Sequence, residues 1–188
     1  MNTEKIDFVR KDLKTSVGKS ADSLNQLKNT CILISGGTGF MGTWLAELIA
    51  FLNDEYQFNI HLILLARDSQ EFEAKVPHIF GRKDVELINK DVRSIIDLPD
   101  SVSWIIHAAS TPDNRVHSSN PLKTMQIVSQ GTSAILDAST RLPKLKKILN
   151  ISSGLVYGAQ PWDMDGIPES FFGPLDCSAM SSVYAEAK

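Results

Sequence analysis

The run "YAEAK" near the end of the chain sets Tyr184 four residues before Lys188, a spacing that brings both side chains to one face of a helix. An ammonium beneath a phenol favours the phenolate, which makes that phenol a usable acid or base near neutrality. Upstream, "ISSGLVYG" puts Ser152 and Ser153 at the carboxyl end of an apolar run. A serine hydroxyl there can hydrogen-bond the same substrate oxygen. The third pattern is "ISGGTGFMG", with glycines at 36, 37, 39 and 42 between a β-like run and an amphipathic stretch. Such a loop offers backbone amides and a helix N-terminus to a pyrophosphate: Gly36 makes the turn, Gly39 lets the phosphates approach, and Gly42 packs helix on strand. Each pattern alone occurs widely as an ordinary turn or helix surface. Their order along one chain makes them specific.

These residues need a scaffold to bring them together. Apolar runs at Cys31–Ser35, Ile60–Ala66, Val85–Asn89, Trp104–Ala108 and Ile148–Ser152 read as strands, and helical spacing recurs over Met41–Asn53, near Phe72–Phe80 and over Leu122–Arg141. Unalternating apolar strands separated by helices predict a doubly wound α/β domain, a parallel sheet covered on both faces. Ligands of such a sheet sit beyond the carboxyl ends of its strands. That end carries Arg67 and Asp68 after the second strand, Asp91 in "NKDVR" after the third, and "HAAS" closing the fourth. A guanidinium at Arg67 tilts the cofactor choice toward the 2′-phosphate of NADP, and the same group could stack on adenine in an NAD site. Asp91 is placed to accept from an adenine amino group or, equally, to cap the turn that follows. The small Ala108, Ala109 and Ser110 let the backbone pass close to a nicotinamide-side ribose or to a packed helix. His107 reads as a packed core residue.

Composition narrows the class. A chain of 188 residues that is 43% hydrophobic can bury one sizeable core. Its net charge of −3 provides no basic excess for a nucleic-acid backbone, so no nucleic-acid partner is expected. Cys31 in a strand and Cys177 in a polar loop form neither zinc nor redox spacing, which suits a reducing, cytoplasmic setting. The start "MNTEKIDFVRK" lacks the apolar core of a secretory signal, and the longest apolar stretch, Trp44 to Leu52, is too short to span a bilayer. A soluble protein with no membrane partner is expected. Within residues 1–28, Ile6, Val9, Leu13 and Val17 recur at helical spacing before Leu24 and Leu27. They predict an extension of one or two short helices lying against a dinucleotide-binding domain at 29–188.

Taken in order, "GGTGFMG", "DVR", "HAAS", "SSGLVYG" and "YAEAK" resemble the N-terminal part of an extended short-chain dehydrogenase/reductase. More narrowly, Thr30 to Lys188 is similar to the NAD(P)-dependent epimerase/dehydratase family, which works on nucleotide sugars. The resemblance implies a Rossmann fold, NAD or NADP as cofactor, a nucleotide-diphosphate sugar as substrate, and a homodimer among the assemblies expected. By position before "VYG" it implies Ser153 as the catalytic serine, beside Tyr184 and Lys188. It implies a dinucleotide held against Gly36, Gly39, Phe40, Met41, Gly42, Arg67, Asp91, Val92, Ala108, Ala109 and Ser110, with Tyr184 and Lys188 at the nicotinamide end. The implied chemistry passes a sugar hydroxyl proton to the tyrosinate while the carbon-bound hydride goes to the nicotinamide.

Three departures from the family pattern bear on function. Family dehydratases and decarboxylases carry carboxylates beside the catalytic residue or just before "VYG", where this chain has Gly154 and Leu155. Elimination is therefore disfavoured, leaving epimerisation or keto-sugar reduction. Val128 in "VSQGT" stands where the family has an asparagine, so that polar contact must be absent or supplied elsewhere. Family members also continue past the lysine into a smaller substrate domain, whereas the sequence stops at Lys188. The expectation is a fragment that keeps the dinucleotide site and turns over little by itself. Two other readings stay open: an NADP-dependent reductase of small carbonyl compounds, and a dinucleotide-binding module without catalysis.

Overall fold

The computed structural model describes residues 3–18, 20–68, 70–110, 113–176, 178–179 and 182–188. Cys177 lies outside them. Five strands, β1 (Cys31–Ser35), β2 (His61–Ala66), β3 (Val85–Asn89), β4 (Val102–His107) and β5 (Lys147–Asn150), form one parallel sheet in the order β3-β2-β1-β4-β5. This is the doubly wound Rossmann arrangement, and the strand order reverses between β1 and β4.

Alternation along the central strands divides the core into two layers, because successive side chains leave opposite faces of a sheet. Ile32, Ile34, Leu62 and Leu64 pack on one face with Ala46, Ile49, Ala50 and Leu52 of α3 (Phe40–Tyr56). Leu33, Ile63, Leu65 and Ile105 pack on the other with Ile135 and Ala138 of α8 (Gly131–Ser139). All five residues of β1 are buried, as a strand covered on both sides must be. Strand β5 differs. It is one of the two edge strands, and Leu149 is 56% exposed.

The N-terminal segment forms α1 (Thr3–Gly18), α2 (Ala21–Leu24) and a 3-10 turn at Asn25–Leu27. Leu13 and Val17 of α1 are buried in the α3-side layer. Arg10 reaches Asp54 at 3.3 Å and Glu55 at 2.5 Å. Asp54 in turn meets Arg82, which also pairs with Asp84, so charges link α1, α3 and the approach to β3.

The structure refines the helices expected from the sequence. The helix near Phe72–Phe80 is two, α4 (Gln70–Lys75) and α5 (Pro77–Phe80). Pro77 starts α5 and drives Val76 out of the helical region, to φ −134° and ψ 59°. The helix expected from Leu122 to Arg141 is present and runs without interruption from Pro121 to Ser139, as α7 (Pro121–Met125), a π-helical segment at Gln126–Gln130, and α8. A helix not expected at all, α6 (Asn114–Ser119), precedes it, capped by the Asp113 side chain accepting from the Arg115 amide. The last helix is α9 (Ser182–Ala187). Among the described residues no helix is long and apolar enough to cross a membrane.

Candidate active site

The residue that follows each strand lines one cavity of about 390 Å3: Gly36, Arg67, Lys90, Ala108 and Ile151. Parallel strands bring their carboxyl ends to one edge, and the reversal between β1 and β4 opens the crevice there. Tyr184 and Lys188 close it from α9. The cavity thus collects the glycine loop, Arg67, Asp91, Val92, Ala108, Ala109 and Ser110 in one place.

The loop glycines meet different surroundings. Gly36 adopts φ +68°, and a Cβ there would lie 2.9 Å from the Ala108 carbonyl oxygen and the Ala109 Cα. At Gly42 a Cβ would come within 2.5 Å of the Gly37 carbonyl, so helix α3 can pack this close only without a side chain. Gly39 is exposed, and its Cβ would meet one protein atom, the Gly36 carbonyl oxygen, at 3.2 Å. Protein packing dictates the first two glycines and leaves the space over Gly39 to a ligand. Gly39 is also the N-cap of α3, so the amides of Phe40, Met41 and Gly42 belong to the first turn, which has no intrahelical acceptors for them. Free amides at a helix start are the groups that could hold an anion such as a pyrophosphate.

After β3, Asp91 is already engaged. It caps the 3-10 turn Val92–Ser94, accepting from the Arg93 amide at 2.9 Å and from the Arg93 guanidinium at 2.7 and 3.0 Å. The hydrogen-bonded Arg93 side chain holds its carboxyl down at about 2 against the opposing effect of burial. Of the two roles read for Asp91, the cap is formed, and the residue also lines the cavity. Val92 is buried, and a Cβ on Gly131 would strike its Cγ1 at 2.8 Å, so Gly131 is a packing glycine.

The floor between β1 and β4 is a directed hydrogen-bond chain. Thr132 Oγ1 donates to the Val128 carbonyl at 2.7 Å, so it accepts from His107 Nε2, 3.1 Å away. His107 Nδ1 is then the acceptor for the Ser35 hydroxyl at 2.6 Å, and Ser35 Oγ accepts from the Ala109 amide at 3.3 Å. Burial, aided by the Lys188 charge, pushes His107 down to about 4, which keeps the ring neutral and the tautomer fixed. His107 is 3% exposed, a core residue as read from the sequence. The Val128 side chain is buried too, and the polar link at this turn runs through its carbonyl. Ser110 Oγ lies buried on the cavity wall without a protein hydrogen-bond partner among the described residues.

At the other end, Lys188 Nζ lies 5.7 Å from the Tyr184 ring centre and donates to the Ile151 carbonyl at 2.7 Å. Burial lowers its affinity for the proton. The opposite Tyr184 contact is His117, whose ring stacks 4.3 Å away, tilted by 9°. Ser152 faces the cavity, while the Ser153 hydroxyl accepts from the Leu155 amide at 3.2 Å, capping the 3-10 turn Gly154–Tyr157.

Residues 32–188 match the model of the NAD dependent epimerase/dehydratase family. The chain belongs to that family. No curated protein matches it. Solved structures share its fold at low identity. The UDP-glucuronic acid 4-epimerase of Bacillus cereus, in complex with UDP-glucuronic acid and NAD, is 18% identical, with TM-score 0.65, covering 84% of this chain and 50% of that one. The UDP-Glc/GlcNAc 4-epimerase of Campylobacter jejuni is 18% identical, with TM-score 0.64 and coverages of 84% and 47%. The Bordetella bronchiseptica enzyme WbmF in complex with NAD+ is 17% identical, with TM-score 0.58 and coverages of 86% and 44%. The chain spans about half the length of each.

Within this epimerase/dehydratase-family domain, sequence reading missed several cavity and supporting residues. Ile127 and Ile151 line the cavity, Ser35 and His117 touch the lining residues Ala109 and Tyr184, and Thr132 is linked to Ser35 through His107. Asp113 and the Asn120-Pro121 pair are cap signals that could have revealed α6 and α7. Nothing local marks the His117 stack.

Proposed function

We propose that this chain is the dinucleotide-binding, proton-transferring half of a nucleotide-sugar epimerase or keto-sugar reductase. The observation that carries the reading is the meeting of Tyr184 and Lys188 with the glycine loop around one cavity at the strand ends. The family and the UDP-sugar epimerases that share the fold support the substrate class.

Gly36, Gly39 and the α3 first turn would hold the pyrophosphate, Arg67 and Asp91 the adenosine end, and Ala108 to Ser110 the nicotinamide end. A nicotinamide bound there supplies the hydride chemistry that interconverts a carbinol and a carbonyl. Tyr184 Oη takes the proton from the sugar hydroxyl and returns it. The Lys188 ammonium favours the tyrosinate, and Ser153 is assigned to the substrate oxygen, exchanging its bond to the Leu155 amide for that contact. With Gly154 and Leu155 beside it, the turn offers no carboxylate for eliminating water or carbon dioxide. Arg67 on the cavity wall leans the cofactor toward NADP, although structures sharing the fold were solved with NAD or NAD+. A cytoplasmic homodimer is the proposed form of the intact enzyme.

Calorimetric titration of the chain with NAD and NADP tests this reading. Binding that Gly39→Val abolishes is expected; unchanged affinity in that variant removes the loop from the site. The Arg67 position also favours a second reading, an NADP-dependent reductase of small carbonyl compounds. NADP-dependent reduction without any nucleotide-sugar requirement would select it.

A further inference from the structure

Helix α9, which carries Tyr184, packs against α7 and is tied to Ile151 by Lys188, and these contacts fix its backbone more than the tyrosine ring. Helix α9 has six residues, of which Ala185 is the buried one, and the described residues between Tyr157 and Ser182 form neither helix nor strand. A tyrosine ring turns about two side-chain bonds, so the position of its hydroxyl depends on what packs against the ring. One face of the ring is covered from α6, sixty-odd residues earlier in the chain. His117 is 3% exposed and lies parallel to the Tyr184 ring, 4.3 Å between centres with a 9° tilt. Its helix is braced at both ends. Asp113 caps the first turn, its carbonyl accepts from the His117 amide at 3.2 Å, and the Asn120 side chain caps α7 directly after it.

We propose that His117 is a positioning residue for Tyr184, a flat backstop whose stacked ring holds the phenol at the cavity wall. Its part in catalysis rests on the reading of Tyr184 as the proton carrier; the stack stands without that reading. The planar face of the imidazole is what meets the phenol ring. A phenyl ring should therefore substitute for it, and an aliphatic side chain of similar size should not.

The chain has three tyrosines, Tyr56, Tyr157 and Tyr184, so fluorotyrosine labelling gives a fluorine NMR spectrum in which Tyr184→Phe assigns the Tyr184 signal. In the wild-type chain and in His117→Phe, this signal is expected at the same displaced position and to respond to added NAD or NADP. In His117→Leu it should move toward the free-tyrosine position, while the Tyr56 and Tyr157 signals stay and report an intact fold. In an active full-length form, His117→Leu should lower kcat roughly 10- to 100-fold with KM unchanged, and His117→Phe should restore it. An unmoved Tyr184 signal in His117→Leu overturns the proposal, as does a Phe variant that behaves like the Leu variant. If the Tyr184 signal depends on His117 but no dinucleotide shifts it even in the wild type, the cofactor reading fails and the stacking inference survives.

Discussion

Lys188 donates from Nζ to the backbone carbonyl of Ile151 at 2.7 Å, which ties the last helix to the end of β5. The same ammonium stands 5.7 Å from the centre of the Tyr184 ring. One side chain thus joins the sheet edge to the phenol, and its charge is partly withdrawn from solvent, which raises its electrostatic weight at Tyr184.

Lys188→Met keeps much of the side-chain length and removes the charge. Dinucleotide affinity, measured by calorimetry, should fall about tenfold as the α9 anchor is lost. An unchanged affinity would show that the Ile151 contact does not organise the site.

Tyr184→Phe should leave dinucleotide affinity nearly intact and, in a form that turns over, cut kcat by roughly 10² to 10⁴, the usual weight of a general acid or base. Product analysis should show epimerised or reduced sugar without loss of water or carbon dioxide. Elimination products would contradict the assignment built on Gly154 and Leu155.

The loop glycines should separate stability from binding. Gly42→Ala forces a methyl to within 2.5 Å of the Gly37 carbonyl and should cost about 1–3 kcal/mol in urea denaturation. Gly39→Ala meets a single protein atom at 3.2 Å and should melt close to wild type while losing dinucleotide affinity. Equal destabilisation by the two would argue that Gly39 is a structural glycine.

His107 should show in the pH dependence of stability. Its native value near 4 lies below the ordinary 6.5, so above pH 6.5 neither state is protonated and the group imposes no penalty. As pH falls from 6.5 to about 4, the unfolded chain gains a proton that the native chain refuses, and stability drops by up to about 1.4 kcal/mol per pH unit. Below 4 this slope vanishes. Denaturant midpoints across that range should fall more steeply in wild type than in His107→Gln; parallel curves would mean that the buried network tolerates an imidazolium.

Leu13 of α1 is 7% exposed within the α3-side layer. Leu13→Ala should destabilise the domain by about 2–3 kcal/mol in chemical denaturation. A change within the error of the measurement would show that α1 rests on the domain without sharing its core.

Much of this molecule is written locally. The apolar runs at Cys31–Ser35 and Val85–Asn89 became strands with those bounds, and the glycine loop lies where its flanks required, because alternation of apolar and breaking residues acts over a few positions. That the glycine loop, Arg67, Asp91 and Ala108–Ser110 share one edge was also legible, since a parallel sheet sends every residue after a strand to the same edge, whereas Ile127 reaches the cavity from a helix. Other features depend on partners distant in sequence. Whether Ser152 or Ser153 faces the cavity turns on which hydroxyl the following 3-10 turn recruits as its cap. The π-helical segment at Gln126–Gln130 adjoins the Thr132 link to His107 on β4. The ring of His117 meets Tyr184 because α6 and α9 pack on the same side of the crevice. Propensity and periodicity encode what a segment becomes. Which side chains then share a hydrogen bond or a ring face is decided by packing between segments, and no local pattern carries that information.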